Sequence, residues 1–168
     1  MSVSAGVLQT HLAYTKWASS KLIDIAVQLP EEQLTRDFQT ADRSVLGTLV
    51  HTFQGDRIWW ARVTNSPLAG FRLDSDYQLS TIQNDWPALL DRWQEVGASL
   101  TDENAQRIVE YTRLNGAQFS QPLWEIILHV VNHGTHHRGQ VSGFLRAMGH
   151  TPPPLDLLYF QLERAAHA

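Results

Sequence analysis

The sequence predicts an all-α protein, an up-down four-helix bundle with a short C-terminal helix and a small hairpin-like insert before the fourth long helix. Three observations carry that expectation. Four long segments place apolar residues at helical intervals. Clusters of Gly and Pro separate those segments. A single short stretch switches to β-branched and aromatic residues. The 168 residues suffice for one sizeable core, and no repeat, linker or low-complexity tract divides them, so one domain over residues 1–168 is expected.

The first helix is expected from about Ser4 to Leu29, where Leu8, Leu12, Thr15, Ser19, Leu22, Ile23, Ala26 and Val27 trace a mostly apolar stripe. Pro30 ends it, and Glu31 to Leu34 reads as one short helical turn. Ser44 is a good N-cap for a second helix running to about Thr64, which Asn65-Ser66-Pro67 stops. Residues 66–77 read as a loop. A third helix spans about Leu79 to Leu100, with Leu89, Leu90, Trp93 and Val96 on its inward face.

The period then changes. Arg107 to Leu114 carries Ile108-Val109 and Tyr111-Thr112, residues that favour a strand. Asn115-Gly116 is a strong hairpin signal, with Ala117 to Ser120 as the return strand. The fourth long helix begins after Pro122 and continues to Met148, where Gly149 stops it. Thr151-Pro152-Pro153-Pro154 is a stiff connector. A last helix from Leu155 to about Arg164 is expected to pack Leu158, Phe160 and Leu162 onto the body.

Composition removes several function classes. A net charge of -4 with scattered basic residues lacks the basic footprint of a nucleic-acid binder. No apolar run approaches the roughly 18 residues a membrane span needs. The first dozen residues lack the charged start and apolar stretch of a signal peptide. Cysteine is absent, so any metal must be held by His, Asp or Glu. A soluble cytoplasmic protein is the expectation.

The chemistry concentrates between His129 and His137, where four of the eight histidines fall. His133 and His137 are four residues apart, one turn on the same helix face, a spacing at which two imidazoles can grip one ion. His137 lies on the core-facing stripe of Leu123, Ile127, Val130, Gly134, Val141, Phe144 and Met148; His133 lies at its edge. His51 is the third candidate. It shares a face of the second helix with Ser44, Gly47, Thr48, Gly55 and Ile58, small enough to approach another helix closely or leave a cavity. Three histidines with an open fourth position match a catalytic rather than a structural metal site.

His129, one turn before His133, is a candidate second ligand or orienting group, and Arg138 a candidate anion-binding neighbour. Gln140 could cap a polar network. His136 points about 100° away from His137 and reads as a bystander, while His11, His150 and His167 read as surface residues. Close helix approach would account for Gly139 in mid-helix. The His-Glu-x-x-His pattern of zinc peptidases fails because Gly134 stands where the Glu belongs. A di-iron carboxylate site fails for want of inward acids, the second helix offering only Asp56.

These residues resemble the DinB/YfiT family of bacterial four-helix-bundle proteins. The likeness is strongest from Leu128 to Gln140, which is similar to the family's pair of histidines four residues apart followed by Arg-Gly-Gln. Tyr14-Thr15-Lys16-Trp17-Ala18, Leu49-Val50-His51, and Leu145 to Gly149 with the prolines and Asp156 beyond support it. Ser19 departs from the Asn that many members carry. The resemblance implies metal ligands at His51, His133 and His137, agreeing with the choice from spacing. It also implies a homodimer, and relatives that include thiol-dependent transferases and a maleylpyruvate isomerase.

The leading expectation is therefore an enzyme with a divalent ion, zinc or nickel, on three histidines. It would be a transferase using a low-molecular-weight thiol, or a hydrolase, acting on a small-molecule substrate. The alternatives are a non-catalytic bundle fastened by its ion, a small-ligand-binding protein, or packed histidines that hold no metal.

Overall fold

The computed structural model describes residues 3–67, 73–113 and 115–166. His167, residues 68–72 of the expected loop and Leu114 at the end of the first expected strand lie outside the described residues.

Helix α1 (Ala5–Ala26) starts where Ser4 caps the amide of Val7, and buries the predicted stripe from Leu8 to Ala26. The short α2 (Glu31–Thr35) follows Pro30. Helix α3 (Val45–Thr64) begins at Ser44, whose Oγ accepts the Gly47 amide at 3.0 Å. It ends on Asn65, which takes up the left-handed conformation at φ 53°.

The expected third helix is in two parts. Thr81–Asp85 forms a wide π-turn, and α4 (Trp86–Ala98) continues from it. Pro87 explains the break: it has no N–H to return to the preceding turn, so the chain widens there before the α-helix settles.

Strands β1 (Ile108–Thr112) and β2 (Gln118–Pro122) pair antiparallel, with Thr112 opposite Gln118. Five residues connect them rather than two. The Arg113 amide donates to the Ala117 carbonyl at 2.8 Å, and Gly116 supplies the positive φ of 82° that closes the loop. Helix α5 (Leu123–Ala147) follows directly, and α6 (Leu157–Ala166) closes the described chain.

The core is formed by α1, α3, α4 and α5, with Trp86, Leu90, Ile126 and Ile127 essentially inaccessible to solvent. Burying side chains of this size contributes about 1.5–3 kcal/mol each. Helix α1 packs on α4 and α5, and α3 packs on α5.

Directions do not strictly alternate. At one end of the bundle the Ala5 amide donates to Asp102, Arg107 donates to the Val63 carbonyl, and the Leu123 amide donates to the Arg107 carbonyl. That end therefore gathers the starts of α1 and α5 and the finishes of α3 and α4. Helices α1 and α5 run one way, α3 and α4 the other. The long connection between α3 and α4 makes this possible, since it can return the chain along a helix of about 30 Å.

Two packing expectations change. In α6 only Phe160 is buried, in a cluster with Tyr14 and Trp17; Leu158 and Leu162 are 60% and 58% exposed. Gly139 is solvent-facing with open space around it, so close helix approach does not explain it. Among the described residues, no helix is long and apolar enough to cross a membrane.

Candidate metal centre

Antiparallel packing of α3 against α5 pairs the histidine face of each helix. His51, Gly55 and Trp59 descend α3 opposite His137, His133 and His129 on α5, so each turn of one helix meets a turn of the other. Gly55 is the key to the fit. A Cβ there would stand 2.8 Å from Cε1 of His133, so the ring occupies the space a side chain would fill. The small-residue face read from the sequence is thus a seat for an imidazole.

Three ring nitrogens converge between the helices. His133 Nε2 lies 3.2 Å from His51 Nε2 and 3.2 Å from His137 Nε2. The three residues bring their ligand atoms within 4.8 Å of one another, and three such groups could hold a metal ion.

The donor set fits an ion well. Tetrahedral nitrogens about 2.0–2.1 Å from a metal stand roughly 3.3 Å apart, close to the spacing seen. Hydrogen bonding alone serves the arrangement poorly. A ring nitrogen carries one proton or one lone pair, and His133 Nε2 faces two nitrogens at once.

The surroundings hold these rings neutral. Burial, followed by the neighbouring His137 and His51, pushes His133 down to about 3. Burial also lowers His137, with Gln140 and Asp42 opposing it and His51 adding to it. A neutral imidazole presents the lone pair that ligation requires.

Orientation comes from Gln140 and Asp42. Gln140 Oε1 lies 2.6 Å from His137 Nδ1 and accepts its proton, which leaves Nε2 unprotonated toward the centre. The Asp42 carboxylate reaches both sides, 3.7 Å from His51 Nδ1 and 3.9 Å from His137 Nδ1. Asp42 has no signal in the sequence: it sits in the turn before α3, between residues of positive φ at Gln39 and Arg43, where no periodicity applies.

Of the two residues expected to support the centre, His129 stays beside it, its ring 5.9 Å from that of His133, and Arg138 makes its contacts elsewhere. His129 is exposed and packs edge-on against Trp59, with ring centroids 5.1 Å apart. Arg138, next around the helix from His137, turns toward α1. It donates to Ser19 Oγ at 3.3 Å and Thr135 Oγ1 at 2.9 Å, over the ring of Tyr14. Gly134 leaves the room it needs, since a Cβ there would stand 2.7 Å from Nη1 of Arg138. Arg138 is only 2% exposed, and these contacts occupy its guanidinium on the α1 side of the helix. His136 is exposed as expected, whereas His150 bonds Gln33 Oε1 at 2.7 Å.

Asp56 also turns away from the histidines. Its carboxylate accepts from Trp86 Nε1 at 2.9 Å, and burial pushes its pKa up to about 7. Two hollows open beside the triad. One, of about 570 Å³, is lined by Asp42, Val50, His51 and Tyr77; the other, of about 370 Å³, by His51, His133, Trp59 and Arg62.

The molecule is thus a four-helix bundle with a small hairpin and three histidines converging between two of its helices. The chain belongs to the DinB family, whose family model matches residues 1–165. It is similar to Protein DinB of Bacillus subtilis strain 168, with 24% identity over 152 residues, covering 85% of this chain and 87% of that protein. Its fold is similar to that of a DinB-like protein from Bacillus cereus ATCC 10987 at a TM-score of 0.67. That match has 20% identity and covers 92% of this chain and 99% of the other.

Proposed function

We propose that the chain is a metal-dependent enzyme, with zinc or nickel held by His51, His133 and His137. The reaction would be thiol-dependent S-transfer to a small electrophile, or hydrolysis. The observation that carries this reading is the convergence of three Nε2 atoms at 3.2 Å contacts beside two hollows, with no fourth side chain in the ligand group among the described residues. That leaves a position for an exchangeable group.

A divalent ion in such a site lowers the pKa of a thiol or water and supplies a nucleophile near neutral pH. The chain's own residues prepare the site. Gln140 holds the tautomer of His137, Asp42 lies behind two of the rings, and Gly55 admits the third. Trp59 and Ile58 give the smaller hollow an apolar wall against which a substrate can shed water.

Family membership and composition support the remaining parts of the reading: one domain over residues 1–168, a homodimer, and a cytoplasmic setting. The test is reconstitution with zinc or nickel, followed by assay of a panel of low-molecular-weight thiols against an electrophilic acceptor, and of simple esters without thiol. Metal-dependent turnover in either assay is expected. Stoichiometric metal with no turnover, and a large fall in melting temperature on chelation, would instead mark an ion that only fastens α3 to α5.

A further inference from the structure

The smaller hollow is a trough along α3, beginning at His51 and running past Gly55, Ile58 and Trp59 to Arg62. By helix rise its ends are roughly three turns, or about 16 Å, apart. The end remote from His51 and His133 is cationic. Arg62 is held between the rings of Trp59 and Tyr111, at 4.6 and 4.7 Å, and tied to the Thr112 carbonyl at 3.1 Å. Its Nε is buried without a hydrogen-bond partner, and burial lowers its pKa, with Tyr111 opposing the shift and Arg113 adding to it.

Arg113 comes from the hairpin loop and lies over Phe119 at 4.2 Å. Asn115, in the same loop, uses its Oδ1 to accept the Ala117 amide, which leaves its NH2 group to donate. Among the described residues no carboxylate forms an ion pair with Arg62 or Arg113, and none lines this hollow. Two guanidinium groups and an amide so placed lack only an anion.

We infer that the trough binds an elongated organic carboxylate, its carboxylate on Arg62 and Arg113 and its other end beside His51 and His133. This rests on the functional reading above only for what happens at the histidine end. The hairpin insert then serves the site by carrying Arg113 and Asn115 across the mouth of the trough. The apolar wall of Ile58 and Trp59 selects a hydrocarbon-like middle, and the arginines select the charged terminus.

Calorimetric titration of the metal-free protein tests this, with mercaptooctanoate and mercaptooctanol as probes of equal chain length. The carboxylate is expected to bind on the order of tenfold more tightly than the alcohol. Arg113→Gln, a change at an exposed loop residue, should remove the preference without moving the melting temperature. Arg62→Lys should weaken it, because the fork is lost while the charge remains.

Equal affinity for the two probes would overturn the inference, as would a preference that survives both substitutions. Inorganic phosphate binding as tightly as the carboxylate would also overturn it, since the site would then hold any small anion. Because no metal is present, the carboxylate preference could persist in a protein that never loads an ion. That result would defeat the functional reading and leave the trough standing.

Discussion

Gly55 and His133 are complementary: the imidazole of one fills the volume that the other lacks, with only 2.8 Å between Cε1 and a hypothetical Cβ. Gly55→Ala must therefore move the ring by several tenths of an ångström. The same change favours the isolated helix by about 1 kcal/mol. Metal affinity is expected to fall about tenfold or more, while the metal-free melting temperature stays close to wild type. Calorimetric metal titration beside thermal melting reads both, and unchanged affinity would show that the contact does not set the ring's position.

Gln140 acts on the centre through His137 alone. Gln140→Leu removes the acceptor for Nδ1 and frees the ring to turn, with an expected loss of about 10- to 100-fold in metal affinity. Gln140→Glu keeps an acceptor at that position and should retain tight binding. Competition with a chromophoric chelator distinguishes the variants. Equal affinities for Leu and Glu at this position would mean that the hydrogen bond has no orienting effect.

Asp56 gives the protein a pH dependence of a definite sign. Its folded pKa, about 7, lies above the ordinary carboxylate range, so the folded state holds a proton that the unfolded state releases. This contribution to stability is present below about pH 4 and is lost as pH rises through 7. His133 works the other way: its folded pKa, about 3, is below the usual histidine range, so its contribution is present above about pH 6.5 and fades as pH falls. Asp56→Asn keeps an acceptor for Trp86 and isolates the first effect. The variant's stability relative to wild type should rise steadily from pH 4 to 7 in denaturant melts, and a flat difference would contradict the assignment.

His133 and His137 were legible in the sequence because helix periodicity turns an interval of four into shared direction. His51 was legible because it borders the apolar stripe of its helix among small residues. Asp42 was not, since it lies in an irregular turn whose path is set by Gln39 and Arg43 at positive φ. Arg138 turns away from the centre for a local reason. Its neighbour faces the centre, but one residue rotates the side chain by about 100°, and that turns it into the contact with α1. Helix number and most bounds followed from caps and prolines, the π-turn that splits the start of the third helix excepted, whereas helix direction depended on how far apart the ends of α3 and α4 lie, which no local pattern encodes.

Metal content per chain, measured by elemental analysis after reconstitution and desalting, reads the three-histidine centre itself. Wild type, His129→Ala and His136→Ala should each retain one divalent ion per chain. His51→Ala, His133→Ala and His137→Ala should each lose it. Full retention in His51→Ala, or loss in His129→Ala with His51→Ala still loaded, would contradict a centre built on His51, His133 and His137.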